Sequence, residues 1–176
     1  MNKTKSNKLR RRIKMLSCIF VFFLVLSGLT AFPLSWETER LHNWIGEGTN
    51  VEKTFPQLSQ WITKVYTALK ETDREYPFIA YGTDWLAFAH IVIAVAFMGP
   101  IRDPIKNVWV VDFGIIACVL VIPLALICGP IRHIPFFWRL GDCSFGVLGI
   151  LSLLIVRKDI KTLERDVMRN SKIITV

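Results

Sequence analysis

Only three histidines and four cysteines occur among the 176 residues. The cysteines, Cys18, Cys118, Cys128 and Cys143, all stand inside apolar stretches. None makes a CxxC pair and none has a histidine at zinc spacing, so no metal site is expected. A glycine-rich phosphate loop, a HExxH helix and a nucleophile elbow are missing as well. Nothing therefore points to nucleotide, metalloprotease or serine-hydrolase chemistry. There is no internal repeat and no low-complexity tract. Acid is absent from residues 1–14, which hold seven Lys or Arg.

What is present is hydrocarbon. The chain is 52% hydrophobic with a mean hydropathy of +0.42, yet its net charge is +8. The two coexist because charge is segregated. Lys3 to Lys14 and Arg157 to Lys172 are basic, and the middle is apolar. A basic balance often means nucleic acid, but basic residues that flank apolar segments read better as topology signals and contacts to anionic lipid. No nucleic-acid partner is expected.

The organising stretch is Pro77 to Val156, three apolar segments separated by short polar breaks. With an earlier one they make four, at about 15–32, 78–100, 109–128 and 140–156, each near the length a bilayer core requires. The first follows a basic start and resembles a signal peptide in outline, but Leu29 occupies a position where cleavage prefers a small residue. A retained helix is the expectation. Thr83 or Asp84 is placed to cap the second segment, and Pro123 to kink the third. Cys128 and Cys143 fall near the same end of neighbouring segments. Packing filler is favoured over a bridge between them.

Residues 35–77 form a polar loop. Within 35–76 there are seven acids and five bases. Thr54-Phe55-Pro56-Gln57 fits a capping box. After it, Leu58, Trp61, Ile62, Val65 and Leu69 repeat at helical spacing, which predicts an amphipathic helix ending in the charged run Lys70–Glu75. Glu37 to Ile45 reads as a shorter element of the same kind. Arg157 to Asn170, with Ile160, Leu163 and Val167 on one side, reads as an amphipathic basic tail lying on the bilayer surface. The fold class expected is all-α, a single polytopic membrane domain of four transmembrane helices with an amphipathic helix in the loop and a basic tail over 157–176.

Orientation follows from counting Lys and Arg. The start, the 101–108 turn and the tail hold 15 of the 22, and the 35–83 loop and 129–139 turn hold seven. Both termini are expected on the cytoplasmic side of the cell membrane.

Ionisable groups at membrane depth are the residues to suspect. His90 lies about 9 Å below Asp84 at the helical rise, on a face with Thr83, Ala87 and Ala94. Asp142 shares a face with Gly146 and Gly149. If these small-residue stripes meet, His90 and Asp142 form an acid/base pair. Against this stands the plainer use of each as one structural hydrogen bond, His90 to a neighbouring helix and Asp142 to Arg139. Arg132 and Arg139 in the outer turn, with His133 and Asp84 nearby, suit an anion such as a lipid headgroup. The plainer reading pairs the two arginines with Asp84 and Asp142. Asp103 before Pro104 is turn chemistry, and Asp112 is expected to pair with Arg102 or Lys106.

Three functions are carried forward. The first is an accessory or scaffold protein acting by partner contact or self-association. The second is a small enzyme or binding protein for an anionic lipid or lipid-linked substrate at the outer leaflet. The third is a quinone or haem module of electron transfer. No histidine matches the depth of His90 as a second axial ligand, so no cofactor is expected.

Overall fold

The computed structural model describes residues 3–174, with side chains over 6–169. Residues 1–2 of the basic start and 175–176 of the tail lie outside the described residues. The elements are helices α1 (Lys3–Ala31), α2 (Leu34–Ile45), α3 (Pro56–Glu75), a 3₁₀ turn (Pro77–Ala80), α4 (Tyr81–Ala96), α5 (Met98–Arg102), α6 (Val108–Ile131) and α7 (Phe136–Ile174). Among the described residues there is no strand. Ser6–Ala31, Pro77–Arg102, Val108–Ile131 and Phe136–Arg169 are long and apolar enough to cross a membrane. The shortest has 24 residues, about 36 Å of helix against a hydrocarbon core of about 30 Å. Phe22, Leu120, Ile127, Phe145 and Leu148 are exposed along these helices. Large apolar side chains turned outward on this scale mark a membrane-embedded protein.

The helices outrun the apolar segments for local reasons. Lys and Arg stems lose little freedom in a helix, so α1 already starts in the basic leader. Helix α6 continues through Pro123 and Pro130, where the apolar run gives no alternative partner for freed backbone groups. Two expected caps do not form. Proline restricts the residue before it to extended backbone, so Pro56 takes the first helical position and Phe55, at φ −132°, becomes the N-cap of α3. Thr54 is thus one residue too early for a capping box. Thr83 and Asp84 already lie inside α4, and the Thr83 hydroxyl donates to Ala80 O at 2.7 Å.

The chain divides into two compact units: the residues up to Phe23 with those from Ile93 onward, and Leu24–Val92. The first has a core of Ile13, Phe97, Val110, Val111, Leu153, Val156, Ile160 and Leu163. The rings of Phe20 and Phe97 meet at 4.8 Å. Helices α6 and α7 approach closely where a side chain is missing. A Cβ on Gly146 would stand 2.8 Å from Cys118 O, and one on Gly149 would stand 2.5 Å from Cys118 Sγ. Gly114 likewise makes room for Phe97 and Leu153. All four cysteines are free, including Cys128 and Cys143.

The tail does not lie on the surface as its periodicity suggested. It prolongs α7 without a break, and Ile160 and Leu163 are fully buried while Val167 is half exposed. Their cover includes Ile13 of α1, a partner the basic leader conceals. Beside them Asp159 is 2% exposed and is held by both arms of the Arg12 guanidinium. Asp112 pairs with Arg157 at 2.5 Å rather than with Arg102 or Lys106, because α6 turns it toward α7.

In the second unit α2 and α3 pack side by side. Thr38, Ser59 and Ile62 are buried between them. The ring of His42 stacks on Tyr66 at 4.6 Å, and Glu47 N donates to Thr63 Oγ1 at 2.9 Å. Gly48 turns the connecting loop at φ +88°, a conformation open to glycine at little cost.

The Arg12–Asp159 pair is unequal, since the arginine side chain is 50% exposed and the aspartate 3%. Removing the arginine strands a buried carboxylate, whereas neutralising the carboxylate leaves an arginine that solvent can reach. Arg12→Ala should therefore lower the thermal midpoint in detergent more than Asp159→Asn. The reverse order would show that the buried carboxylate does not need its partner.

Candidate functional site

Of the residues nominated from sequence, His90 and Asp84 belong to the second unit, and Arg132, Arg139 and Asp142 to the first. The His90 ring bonds within its own helix rather than to a neighbour: Nδ1–H donates to Leu86 O at 2.7 Å. An acceptor at Nδ1 leaves Nε2 unprotonated in the neutral ring. A Cβ on Gly28 of α1 would stand 2.9 Å from His90 Cβ and 3.1 Å from Ala87 O. The small-residue stripe of α4 is thus taken up by α1. That of α7, Gly146 and Gly149, is taken up by Cys118 of α6. Each stripe has a partner of its own.

Arg132, His133, Arg139 and Asp142 share the α6–α7 turn and the first turns of α7. The turn is closed by backbone bonds, Arg132 N to Cys128 O at 3.0 Å and Ile134 N to Gly129 O at 2.9 Å. His133 takes φ 57° to make this reversal, which gives it a chain-turning role that its position in sequence left open. The Arg139 stem lies against Gly129, and its guanidinium stands 5.3 Å over the Phe136 ring. Arg139 Nε is buried without a hydrogen-bond partner. Neither arginine forms an ion pair with Asp142. On the other turn Asp103 does accept from Lys106 N, at 3.3 Å. Among the described residues no three His, Cys, Asp or Glu side chains stand close enough to hold a metal ion.

A different constellation lies between α2 and α3. A cleft of about 350 Å³ is lined by Ser35, Trp36 and Glu39 from α2 and by Tyr66, Lys70, Asp73 and Arg74 from α3. The α3 residues fall at i, i+4, i+7 and i+8, one stripe of a helix, and the α2 residues line its opposite wall. Ser35 Oγ donates to Asp73 at 3.3 Å. Lys70 Nζ donates to the Tyr66 hydroxyl at 3.0 Å. That bond, with a smaller contribution from the charge of Glu39, holds the Lys70 ammonium above the ordinary lysine range. Lys70 is therefore charged at any neutral pH. Arg40 lies 4.6 Å over the Trp36 ring, and Arg74 contacts Glu75 at 3.2 Å. Sequence reading missed this cleft by treating Lys70–Glu75 as a solvated helix end. The signal was the helical spacing of Tyr66 with Lys70 and Arg74, set opposite Trp36 and Glu39.

Comparison with family models, with curated proteins and with solved structures gave no match.

A non-glycine residue in the left-handed region carries strain of about 1 kcal/mol, and a β-branched one carries more. His133→Gly should raise the thermal midpoint and His133→Val should lower it. Equal midpoints for both would show that the turn does not need this conformation.

Proposed function

We propose that this is a multi-pass protein of the cell membrane, with both termini on the cytoplasmic side, that works as an accessory protein by contact with a partner or a second copy. The orientation rests on the excess of Lys and Arg at the start, the 101–108 turn and the tail. The reading of function rests on how the ionisable groups are used. Asp159 and Asp112 tie helices together through Arg12 and Arg157, and His90 is spent on its own helix. None of these groups lines the cleft between α2 and α3, and none is paired as general acid with general base. What is left for recognition is the α2–α3 pair, where Trp36, Leu41 and Trp44 are exposed and Trp44 is 71% so. Aromatic side chains of this kind anchor contacts at interfaces and at headgroup level.

The test is purification in a mild detergent followed by mass photometry and protein identification. The reading expects either a mass above one copy or a stoichiometric partner, lost when Trp36 and Trp44 are both replaced by Ala. A strictly monomeric particle with no companion protein would contradict it.

A further inference from the structure

The cleft between α2 and α3 stands at one particular end of that pair. Ser35 and Trp36 come four and five residues after Ala31, the last residue of an apolar helix. Asp73 and Arg74 come four and three residues before Pro77, where the next apolar stretch begins. The cleft is thus at the membrane-proximal end of α2 and α3, away from the loop around Gly48. The chain that follows α3 carries exposed Tyr76, Tyr81 and Trp85, with Tyr81 and Trp85 set edge to face at 6.0 Å. Tyr and Trp collect where hydrocarbon gives way to headgroups. That zone is about 5–7 Å deep on each side of a bilayer, matching a few residues of chain.

The charges of the lining are balanced. Lys70 and Arg74 are cationic, and Glu39 and Asp73 are anionic. An anion alone would meet two carboxylates as well as its two cations, and a cation alone would meet the reverse. A ligand with both signs satisfies all four. We propose that the cleft binds the headgroup of a zwitterionic phospholipid of the phosphoethanolamine type, its acyl chains lying along the adjoining apolar helices. Lys70 spends one donor on Tyr66 and keeps two, and with Arg74 it holds the phosphate. Arg74 supplies the fork that phosphate oxygens fit. Glu39 and Asp73 take the ammonium. The cleft volume, about 350 Å³, lies at the small end of the range for ligand sites and suits a headgroup better than a whole lipid. This site does not rest on partner contact: a protein that proves monomeric leaves it standing.

The test is native mass spectrometry of the full chain, released from nanodiscs of equimolar phosphatidylethanolamine and phosphatidylglycerol. Retained phosphatidylethanolamine should exceed phosphatidylglycerol by about tenfold. Lys70→Ala with Arg74→Ala should abolish retention of both. Glu39→Gln with Asp73→Asn should shift retention toward phosphatidylglycerol. Lys53→Ala with Lys64→Ala, outside the cleft, should leave the ratio unchanged, and circular dichroism should show all variants equally helical. Equal retention of the two lipids by the wild type would overturn the proposal, as would undiminished retention of phosphatidylethanolamine by the Lys70 and Arg74 variant. Soluble phosphoethanolamine is the second arm. If it binds and no lipid preference exists, the cleft belongs to a free zwitterion and the lipid assignment fails.

Discussion

Apolar helices in lipid gain nothing by hiding carbon from carbon, so they associate where their backbones can come close. In this chain that condition is met along α6 and α7. Gly146 and Gly149 admit Cys118 to distances that a methyl group would forbid. Gly114 admits Phe97 and Leu153 from the other side of the same contact. Once α6 and α7 are paired, the core from Leu153 to Leu163 has a wall to pack on, and Ile13 of α1 closes it. Long helices alone would be slack cylinders; the missing side chains give them a register.

Charge is arranged around that pairing. A carboxylate as buried as Asp159 is tolerable only with a fixed partner, and Arg12 joins the start of the chain to its end for that reason. Asp112 and Arg157 make a second tie between α6 and α7. The α2–α3 pair follows another rule. Its contacts are those of a water-facing helical hairpin, with buried Thr38 and Ser59, stacked rings and exposed charges. Its mixed-sign cleft is lined from both helices. One chain thus carries a packed helical scaffold and a polar module with separate physics.

The membrane segments were legible because hydropathy and length are direct readouts of the solvent a helix needs. The third and fourth segments lie within α6 and α7, the first ends one residue past α1, and the second is divided over the 3₁₀ turn, α4 and α5 with a break at Phe97. Helices α1 and α7 run more than ten residues beyond their segments. Partner choice was not legible. The stripes at Ala87 and at Gly146 announce that something approaches, but a stripe of small residues carries no address, and each is taken up by a different helix. The tail was misread because Ile13, which joins Ile160 and Leu163 in one buried cluster, hides among seven cations. The capping box failed on one residue, since Pro56 moves the helix start past Thr54. The cleft escaped because Trp36 and Lys70 are more than thirty positions apart, and only the pairing of α2 with α3 brings them together.

The claim that close backbone approach organises the fold has a direct test on a single helix. Gly141 and Gly146 both lie in α7, but a Cβ at Gly141 meets nothing within 4 Å, whereas one at Gly146 would stand 2.8 Å from a backbone carbonyl. The measurement is the thermal midpoint of Gly146→Ala and Gly141→Ala in the same lipid nanodiscs. Alanine is the better helix former by about 1 kcal/mol, so Gly141→Ala should leave the midpoint unchanged or raise it. Gly146→Ala should lower it by several degrees. If Gly146→Ala is as stable as Gly141→Ala, α6 and α7 do not meet as described and the account of the fold fails.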